Sequence, residues 1–419
     1  MYSNYPQYAV AYPQYFGSVI PPEPEPDPGD AFTYTEDASG NLIITGLSDY
    51  GKTIENIVIP ASYNGKKITE IKQQSFLGAQ TIKTVHFNEG SSMLVIGTDA
   101  FRGASIENFD LPDSEVSIGA RAFFYCACDN LVVPKNLKNI SSTQVFNAVK
   151  HVTFEDGSTR VPEYIMYGND ALESFTIPDT VTTIGMHAFD GTKMHIQSLT
   201  LPANIERLAL AAFQTVEIDH LTIPASLTNV SDTVVFGSVK HVTFEDGSTR
   251  VPSYIMYGND ALESFTIPDT VTTIGMHAFD GTKMHIQSLT LPANIERLAL
   301  AAFQTVEIDH LTIPASLTNV SDTVVFGSVK HVTFEDGITK IPANIMLESS
   351  SAKSHYLVWA QIPASVAFIG NNAFGNCSSY TDTYFMGTSE EWASITIGTG
   401  NDYLKNAAVH FGTIPGVDD

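Results

Sequence analysis

The chain has 419 residues, of which 43% are hydrophobic and only 16% charged, so it has enough apolar residues for a core and does not have a disordered composition. Its 21 Lys and Arg residues against 46 Asp and Glu give a formal net charge of -25. This charge repels phosphate backbones and anionic headgroups, and no apolar window approaches the ~20 residues of a membrane span. Nucleic-acid partners and membrane insertion are therefore not expected.

Residues 1–20 are predicted to form a tyrosine-rich N-terminal tail. Tyr-Pro-Gln-Tyr occurs twice in it, from Tyr5 to Tyr8 and from Tyr12 to Tyr15. Tyrosine gives a large contact area for a small loss of entropy, so these four tyrosines are candidates for anchoring the chain to another subunit; the alternative is an unstructured terminus. The tail has neither a basic start nor a continuous apolar stretch, so it is not a Sec signal peptide.

Residues 21–30, with the sequence PPEPEPDPGD, form a proline-rich acidic spacer that is expected to be extended and solvated. Residues 31–56 follow as a predicted N-terminal cap. A cap is needed because the ends of a stacked repeat array expose unpaired strand edges and apolar core.

Residues 57–383 contain a long internal duplication. Residues 150–239 and 240–329 are the same ninety residues, except that Glu163 in the first copy is Ser253 in the second. One-dimensional architectures tolerate such a duplication because each unit contacts only its neighbours, whereas a globular core would have to be rebuilt around it. The duplication therefore predicts a solenoid.

Each ninety-residue block divides into shorter coils. The segment FTIPDTVTTIGMHAF at Phe175–Phe189 recurs in degenerate form at Leu199–Phe213 and Leu221–Phe236. In its first residues, Phe175 and Ile177 are predicted to point inward from a short strand, with Thr176 pointing outward. Coils of 20 to 28 residues predict about 14 stacked turns with a parallel sheet along one face.

Residues 384–419 are predicted to form a C-terminal cap and tail, with Trp392 as the capping aromatic residue. The three cysteines, Cys126, Cys128 and Cys377, are too few to cross-link a chain of this length, and they are predicted to be buried core residues.

The pattern I-P-x-x-V-x-x-I-G-x-x-A-F occurs at Ile177–Phe189 and again at Ile362–Phe374. On these motifs the chain resembles the BspA-like leucine-rich repeat family over about residues 31–411. The resemblance implies a β-rich leucine-rich-repeat solenoid and a role in adhesion or recognition at a cell surface. The segment Tyr384–Phe411 is similar to the end of many such arrays. Methionine replaces the closing phenylalanine at three positions, Met166, Met256 and Met346.

Two polar positions recur on the outward side of the predicted strands and are the candidate binding surface. The first is threonine in nine successive coils: Thr153, Thr176, Thr200, Thr222, Thr243, Thr266, Thr290, Thr312 and Thr333. The second, two residues earlier, is His151, Ser174, Ser198, His220, His241, Ser264, Ser288, His310 and His331. Stacked coils are expected to align them as two ladders. Either threonine is present because it suits an exposed strand, or the ladders form a low-charge surface that binds a glycan or a protein.

Two histidine pairs, His220 with His241 and His310 with His331, are expected on adjacent coils about 5 Å apart. Such a pair could bind zinc or respond to pH, but the sequence offers no third ligand beside either pair. The acidic residues also lack the spacing of a calcium loop. No metal and no cofactor is therefore expected.

The sequence contains no G-x-S-x-G elbow, H-E-x-x-H helix or phosphate-binding loop, so the chain is predicted not to be an enzyme. The favoured function is recognition or adhesion through the solenoid, with a protein or glycan on a cell surface as partner. The alternative is a structural virion component, a phage decoration or fibre protein anchored to neighbouring subunits through residues 1–30. An extracellular surface or a virion is the favoured location.

Overall fold

The structure of the protein, a computed structural model, describes residues 26–348 and 356–412. The tail at residues 1–20, with Tyr5, Tyr8, Tyr12 and Tyr15, lies outside these residues. The first strands in chain order are β1 Phe32–Glu36, β2 Leu42–Leu47, β3 Asn56–Ile59, β4 Ser62–Tyr63, β5 Lys66–Ile71, β6 Thr84–Phe87, β7 Val95–Ile96, β8 Asn108–Phe109, β9 Ser117–Ile118, β10 Cys128–Val133 and β11 Asn139–Ile140.

The strands of the duplicated region follow without an intervening helix. They are β12 Val149–Phe154, β13 Arg160–Val161, β14 Ser174–Thr176, β15 Thr183–Ile184, β16 His195–Thr200, β17 Arg207–Leu208, β18 Phe213–Ile223, β19 Asn229–Val230, β20 Phe236–Phe244, β21 Arg250–Val251, β22 Ser264–Thr266, β23 Thr273–Ile274, β24 His285–Thr290, β25 Arg297–Leu298, β26 Phe303–Ile313, β27 Asn319–Val320 and β28 Phe326–Phe334.

The remaining strands are β29 Lys340–Ile341, β30 Trp359–Ile362, β31 Phe368–Ile369, β32 Asp382–Phe385, β33 Thr396–Ile397 and β34 Ala408–Phe411. Among the described residues, α-helices are formed by α1 Ser389–Ser394 and α2 Asp402–Asn406, and short 3-10 helices occupy Pro28–Ala31 and Gly51–Thr53.

The strands lie on two faces of one solenoid. We call the face formed by β3, β6 and every even-numbered strand from β8 to β34 the front face; the odd-numbered strands from β5 to β33 form the rear face. Apart from the antiparallel pairs β1–β2 and β4–β5, the described strands pair in parallel with the equivalent strand of an adjacent coil. The predicted solenoid is confirmed.

The solenoid has about 16 turns, close to the predicted 14. The additional turns come from the ends, where the sequence suggested caps. Strands β32 and β34, which belong largely to the predicted C-terminal cap, pair in register and continue the front sheet from β30.

The core is a column of apolar side chains between the two faces. Most coils close on a fully buried phenylalanine, and neighbouring rings stack: the ring centroids of Phe189 and Phe213 are 5.2 Å apart, and those of Phe213 and Phe236 are 5.3 Å apart. The coils that close on methionine bury that residue too, at 0% exposure for both Met166 and Met256. The flexible thioether fills the same position without a ring to continue the stack.

Adjacent coils approach closely where the chain leaves a rear strand. A Cβ atom at Gly185 would lie 2.6 Å from the backbone nitrogen of Glu163 in the preceding coil, closer than real Cβ contacts allow. Glycine is therefore required at this point of the motif, and its recurrence in the sequence follows from the spacing of the coils.

The two ends differ in structure. At the start, the antiparallel hairpin β1–β2 pairs with β5 and places Phe32 against the first buried ring, Phe76, at 6.0 Å. Near the end, Thr388 and Glu391 form a capping box on α1, and Trp392 packs on Phe385 at 5.2 Å.

The cysteines Cys126, Cys128 and Cys377 are all free and buried, which confirms their assignment to the core.

Candidate functional site

The nine ladder threonines lie on the front face, and none of them is buried. Strand pairing aligns them in three runs: Thr153 with Thr176; then Thr200, Thr222, Thr243 and Thr266; then Thr290, Thr312 and Thr333. Within each run the residues are direct partners on adjacent parallel strands, so their Cα atoms are about 4.8 Å apart. The central run of four is the longest aligned row of hydroxyls.

The second ladder follows the same pairing. His151 pairs with Ser174; Ser198, His220, His241 and Ser264 pair in series, as do Ser288, His310 and His331. In two places the imidazole bonds to the serine of the next coil, with Nδ1 to Oγ distances of 2.8 Å for His151–Ser174 and His241–Ser264. These bonds orient the rings along the face.

The ladders are interrupted twice, which the sequence analysis did not predict. Within the described residues no strand pairing joins β14 to β16 or β22 to β24, so Thr176 is not paired with Thr200, nor Thr266 with Thr290. At both breaks successive threonines are 24 residues apart, whereas elsewhere the step is 21 to 23 residues. The longer step was the sequence signal that could have predicted the breaks, because additional residues in a coil loosen the register of its strand.

The front sheet opens into a cleft at the second break. This cleft has a volume of about 500 Å³, and its wall includes Ser264, Phe265, His285, Gln287 and Ser288. Farther along the same break, a space of about 300 Å³ is lined by Thr266 and Thr290 with their apolar neighbours.

The breaks also correct one prediction about side-chain direction. Phe175 and Ile177 were expected inside, but both are only partly buried, as are Phe265 and Ile267 in the second copy. The Phe265 ring still stacks on Phe279 at 4.4 Å, so it forms the floor of the opening. The strands that carry these residues lack a partner on one side and therefore leave their inner faces partly uncovered.

The two histidine pairs have different geometry. The rings of His220 and His241 stack, with centroids 4.8 Å apart and an interplanar angle of 23°. Those of His310 and His331 are 6.3 Å apart at 57°, and Nε2 of His310 lies 3.0 Å from Oγ1 of Thr333. Two rings on adjacent coils are the arrangement that the sequence predicted.

Trp359 covers the second pair. It is the direct strand partner of His331, stacks on it at 4.4 Å and is 6% exposed. Burial, assisted by the positive charge of Lys330 and by His310, lowers the pKa of His331 to about 4, against a smaller opposing effect of Asp309. Burial also lowers the pKa of His310. Both rings are therefore neutral near pH 7.

An aromatic strip extends this cluster toward the C-terminal end. Tyr384 contacts Trp359 at 5.7 Å and His410 at 4.8 Å, and Nε2 of His410 lies 2.7 Å from Asp382. The hydrogen bond from His410 contributes most to lowering the pKa of Asp382. The sequence analysis missed this strip, although Trp359 stands four residues before a strand-ending proline, as His220 does.

No group of three or more His, Cys, Asp or Glu residues able to hold a metal ion occurs within residues 26–348 and 356–412. None of the helices in these segments has the length and apolar character needed to cross a membrane.

Comparison with known proteins gives one family match. The model for the BspA type leucine rich repeat region matches in six copies, over residues 49–148, 116–241 and 249–381. No curated protein matches the chain.

Three bacterial proteins of known structure are similar to the chain. A leucine-rich repeat protein from Bacteroides ovatus ATCC 8483 is 16% identical, over 85% of this chain and 98% of that one, with a TM-score of 0.48. A leucine rich cell surface protein from Faecalibacterium prausnitzii A2-165 is 17% identical, over 87% and 96%, with a TM-score of 0.32. The pneumococcal vaccine antigen PcpA is 14% identical, over 91% and 97%, with a TM-score of 0.34.

Proposed function

Because the chain belongs to the BspA-type leucine-rich repeat family, we propose that it is a non-enzymatic recognition protein that binds a protein or glycan surface through its front face. The observation that carries this proposal is the central run of paired threonines on β16, β18, β20 and β22, which are all at least partly exposed. Leucine-rich repeat proteins typically bind proteins or surfaces.

The chemistry of this surface suits a neutral, hydroxyl-rich partner. Each threonine hydroxyl can donate and accept a hydrogen bond, and the regular spacing of about 4.8 Å presents these groups as a periodic row. Replacing water around hydroxyl groups costs less than desolvating charged side chains, so a low-charge surface can be covered by a partner without unpaired charges. The imidazoles of His220 and His241 add two flat faces beside the row.

The test is to place charge in the middle of this surface. We expect the double variant Thr222→Arg, Thr243→Arg to lose at least about tenfold in binding to a glycan array and to intact bacterial and epithelial cells, because two long cations prevent close approach. The control is Thr182→Arg, Thr228→Arg, which places the same charge on residues directly before rear strands β15 and β19. Equal loss in the two variants, or binding that survives the front substitutions, would show that the front face is not the binding surface.

A further inference from the structure

Within the described residues the front sheet is broken between β8 and β10, between β14 and β16, and between β22 and β24. The break between β8 and β10 is bridged by a side chain, because Sγ of Cys128 lies 3.1 Å from Oδ1 of Asn108 and 3.4 Å from the carbonyl oxygen of Phe109. The other two breaks lie inside the duplicated region and have the same flanking sequences. We call the break between β14 and β16 the first cleft and the break between β22 and β24 the second cleft.

Each cleft is an opening on the front face alone. In the part of the chain that the structure describes, no backbone hydrogen bond joins β14 to β16 or β22 to β24. On the rear face of the same coils, β15 pairs with β17 and β23 pairs with β25. This rear pairing holds adjacent coils about 4.8 Å apart, whereas a further strand inserted into the front sheet would need twice that spacing. The clefts therefore suit a small ligand at their mouth better than an added β-strand.

The floor of each cleft is an aromatic ring. Phe265 is partly exposed, lines the second cleft and stacks on Phe279 at 4.4 Å. The core thus holds this ring in place while part of its surface faces the opening. Phe175 is also partly exposed and stacks on Phe189 at 4.4 Å in the first cleft. The negative π face of such a ring attracts weakly positive C–H groups, which one side of a sugar ring presents.

Uncharged hydrogen-bonding groups lie at the rim. Gln287 and Ser288 are exposed and line the second cleft, and Gln197 and Ser198 hold the equivalent positions at the first. Amide and hydroxyl groups both donate and accept hydrogen bonds, so they match the hydroxyl groups of a sugar. The second cleft has a volume of about 500 Å³, within the usual range of about 300–1,000 Å³ for small-molecule sites.

The charges around the cleft disfavour acidic ligands. Glu263 lies in the wall of the second cleft, and Oδ2 of Asp309 lies 3.1 Å from Nε2 of His285, which lines the same cleft. The whole chain has a formal net charge of -25. Carboxylated and sulfated sugars are repelled by this field, whereas neutral sugars are not.

We propose, on the basis of the proposed function, that each cleft binds one sugar residue of a neutral glycan. The sugar ring lies against Phe175 or Phe265, and its hydroxyl groups bond to the glutamine and serine at the rim. The clefts lie at the two ends of the central threonine run on β16, β18, β20 and β22, four coil steps or about 19 Å apart. The two sites and the hydroxyl row between them form one surface on the front face.

Saturation-transfer NMR titration of the full chain with glucose, galactose, mannose and N-acetylglucosamine tests the proposal, with N-acetylneuraminic acid as the acidic comparison. We expect at least one neutral sugar to bind and the acidic sugar not to bind. Gln197→Ala, Gln287→Ala should weaken the binding about fivefold, because each cleft loses the hydrogen bonds of one amide. Gln214→Ala, Gln304→Ala is the matched control and should leave the affinity unchanged, since these glutamines are exposed, equivalent in the two copies and outside the clefts.

A second pair of substitutions tests the aromatic floor. Phe175→Leu, Phe265→Leu keeps an apolar side chain in each cleft but removes the π face, and it should also weaken sugar binding about fivefold. The thermal midpoint of this variant, measured in parallel, shows whether the coils remain folded. If the glutamine and the phenylalanine variants both bind sugar as the parent chain does, the clefts are not the sites.

The arginine variant Thr222→Arg, Thr243→Arg separates a failure of the clefts from a failure of the proposed function. It leaves the cleft residues in place, so it should keep the binding of free sugars while losing the binding of cells. If no neutral sugar binds, or if the acidic sugar binds as tightly, the cleft assignment is overturned even when the arginine variant loses cell binding. If sugars bind in the clefts but cells still bind the arginine variant, the threonine row is overturned and the clefts stand.

Discussion

The two ninety-residue copies share every residue but one, and most of their geometry is the same. The stacked rings of Phe175 and Phe189 are 4.4 Å apart, as are those of Phe265 and Phe279. The histidine pairs that span the end of each copy nevertheless differ: the rings of His220 and His241, at the end of the first copy, are stacked 4.8 Å apart, whereas those of His310 and His331, at the end of the second, are tilted and 6.3 Å apart.

The difference comes from the coil that follows each pair. His241 is paired with Ser264, whose hydroxyl bonds to its Nδ1 at 2.8 Å, whereas His331 is paired with the indole of Trp359. The equivalent histidines therefore lie in different environments, polar for His241 and apolar for His331. In a solenoid, each coil contacts only its two neighbours, so a residue's environment depends on the coil next to it as much as on its own sequence.

The largest effect is expected from removing the residue that makes the two histidine pairs differ, Trp359. Trp359→Ala should reduce the free energy of unfolding by about 3–5 kcal/mol, because it deletes a large, almost fully buried aromatic side chain and the ring stacked on His331. Urea denaturation followed by circular dichroism measures the change. It should also raise the pKa of His331 from about 4 toward its ordinary value, since burial is the main cause of the shift.

The residue in the equivalent position beside His241, Ser264, provides the control for this substitution. Ser264→Ala removes an exposed hydroxyl and should change stability by no more than about 0.5 kcal/mol. A loss of similar size in the two variants would contradict the idea that the following coil distinguishes the pairs.

The repeating part of the fold could be predicted from the sequence because the solenoid is built from local rules. Thr222 faces outward since it alternates with buried Leu221 and Ile223, and Gly185 marks the close approach of two coils. These features depend on residue spacing within one coil, which the sequence gives directly.

Features that depend on two coils were harder to predict. The opening beside Phe265 results from how far β22 and β24 separate, and the environment of His331 results from the alignment of Trp359 after a segment of irregular length. Neither is determined by the local pattern of apolar residues. The candidate ladders were thus correctly placed on one face, but their interruptions and the aromatic strip required the structure.

A loss of folding stability of intermediate size is expected when the pH is lowered. His331 has a pKa of about 4 in the folded chain and about 6.5 when unfolded, so between these values the unfolded state binds more protons. The contribution of the neutral ring to the free energy of unfolding is fully present above pH 6.5 and is lost as the pH falls toward 4. Because the ring is only half-buried, solvent screening reduces the loss to about 1 kcal/mol.

His331→Gln provides the comparison that isolates this contribution. Glutamine does not titrate, so the fall in stability from pH 7 to pH 4.5, measured by thermal unfolding, should be smaller by about 1 kcal/mol than in the parent chain. Parallel curves for the two proteins over this range would show that His331 is not the group responsible.

The smallest effect is expected at the one position where the copies differ. Ser253→Glu makes the two copies identical. Oγ of Ser253 accepts a hydrogen bond from the backbone nitrogen of Met276 at 3.1 Å. Because the site is partly exposed, losing this hydrogen bond should reduce the free energy of unfolding by no more than about 0.5 kcal/mol. The thermal midpoint should therefore move by about 1–2 °C at most.

If Trp359 is what sets the second histidine pair apart, an NMR titration of this variant should find the pKa of His331 still near 4. A shift of that pKa toward 6.5 would instead place the cause within the copy itself, because Ser253 lies several coils from Trp359 and only a change transmitted along the repeat could connect them.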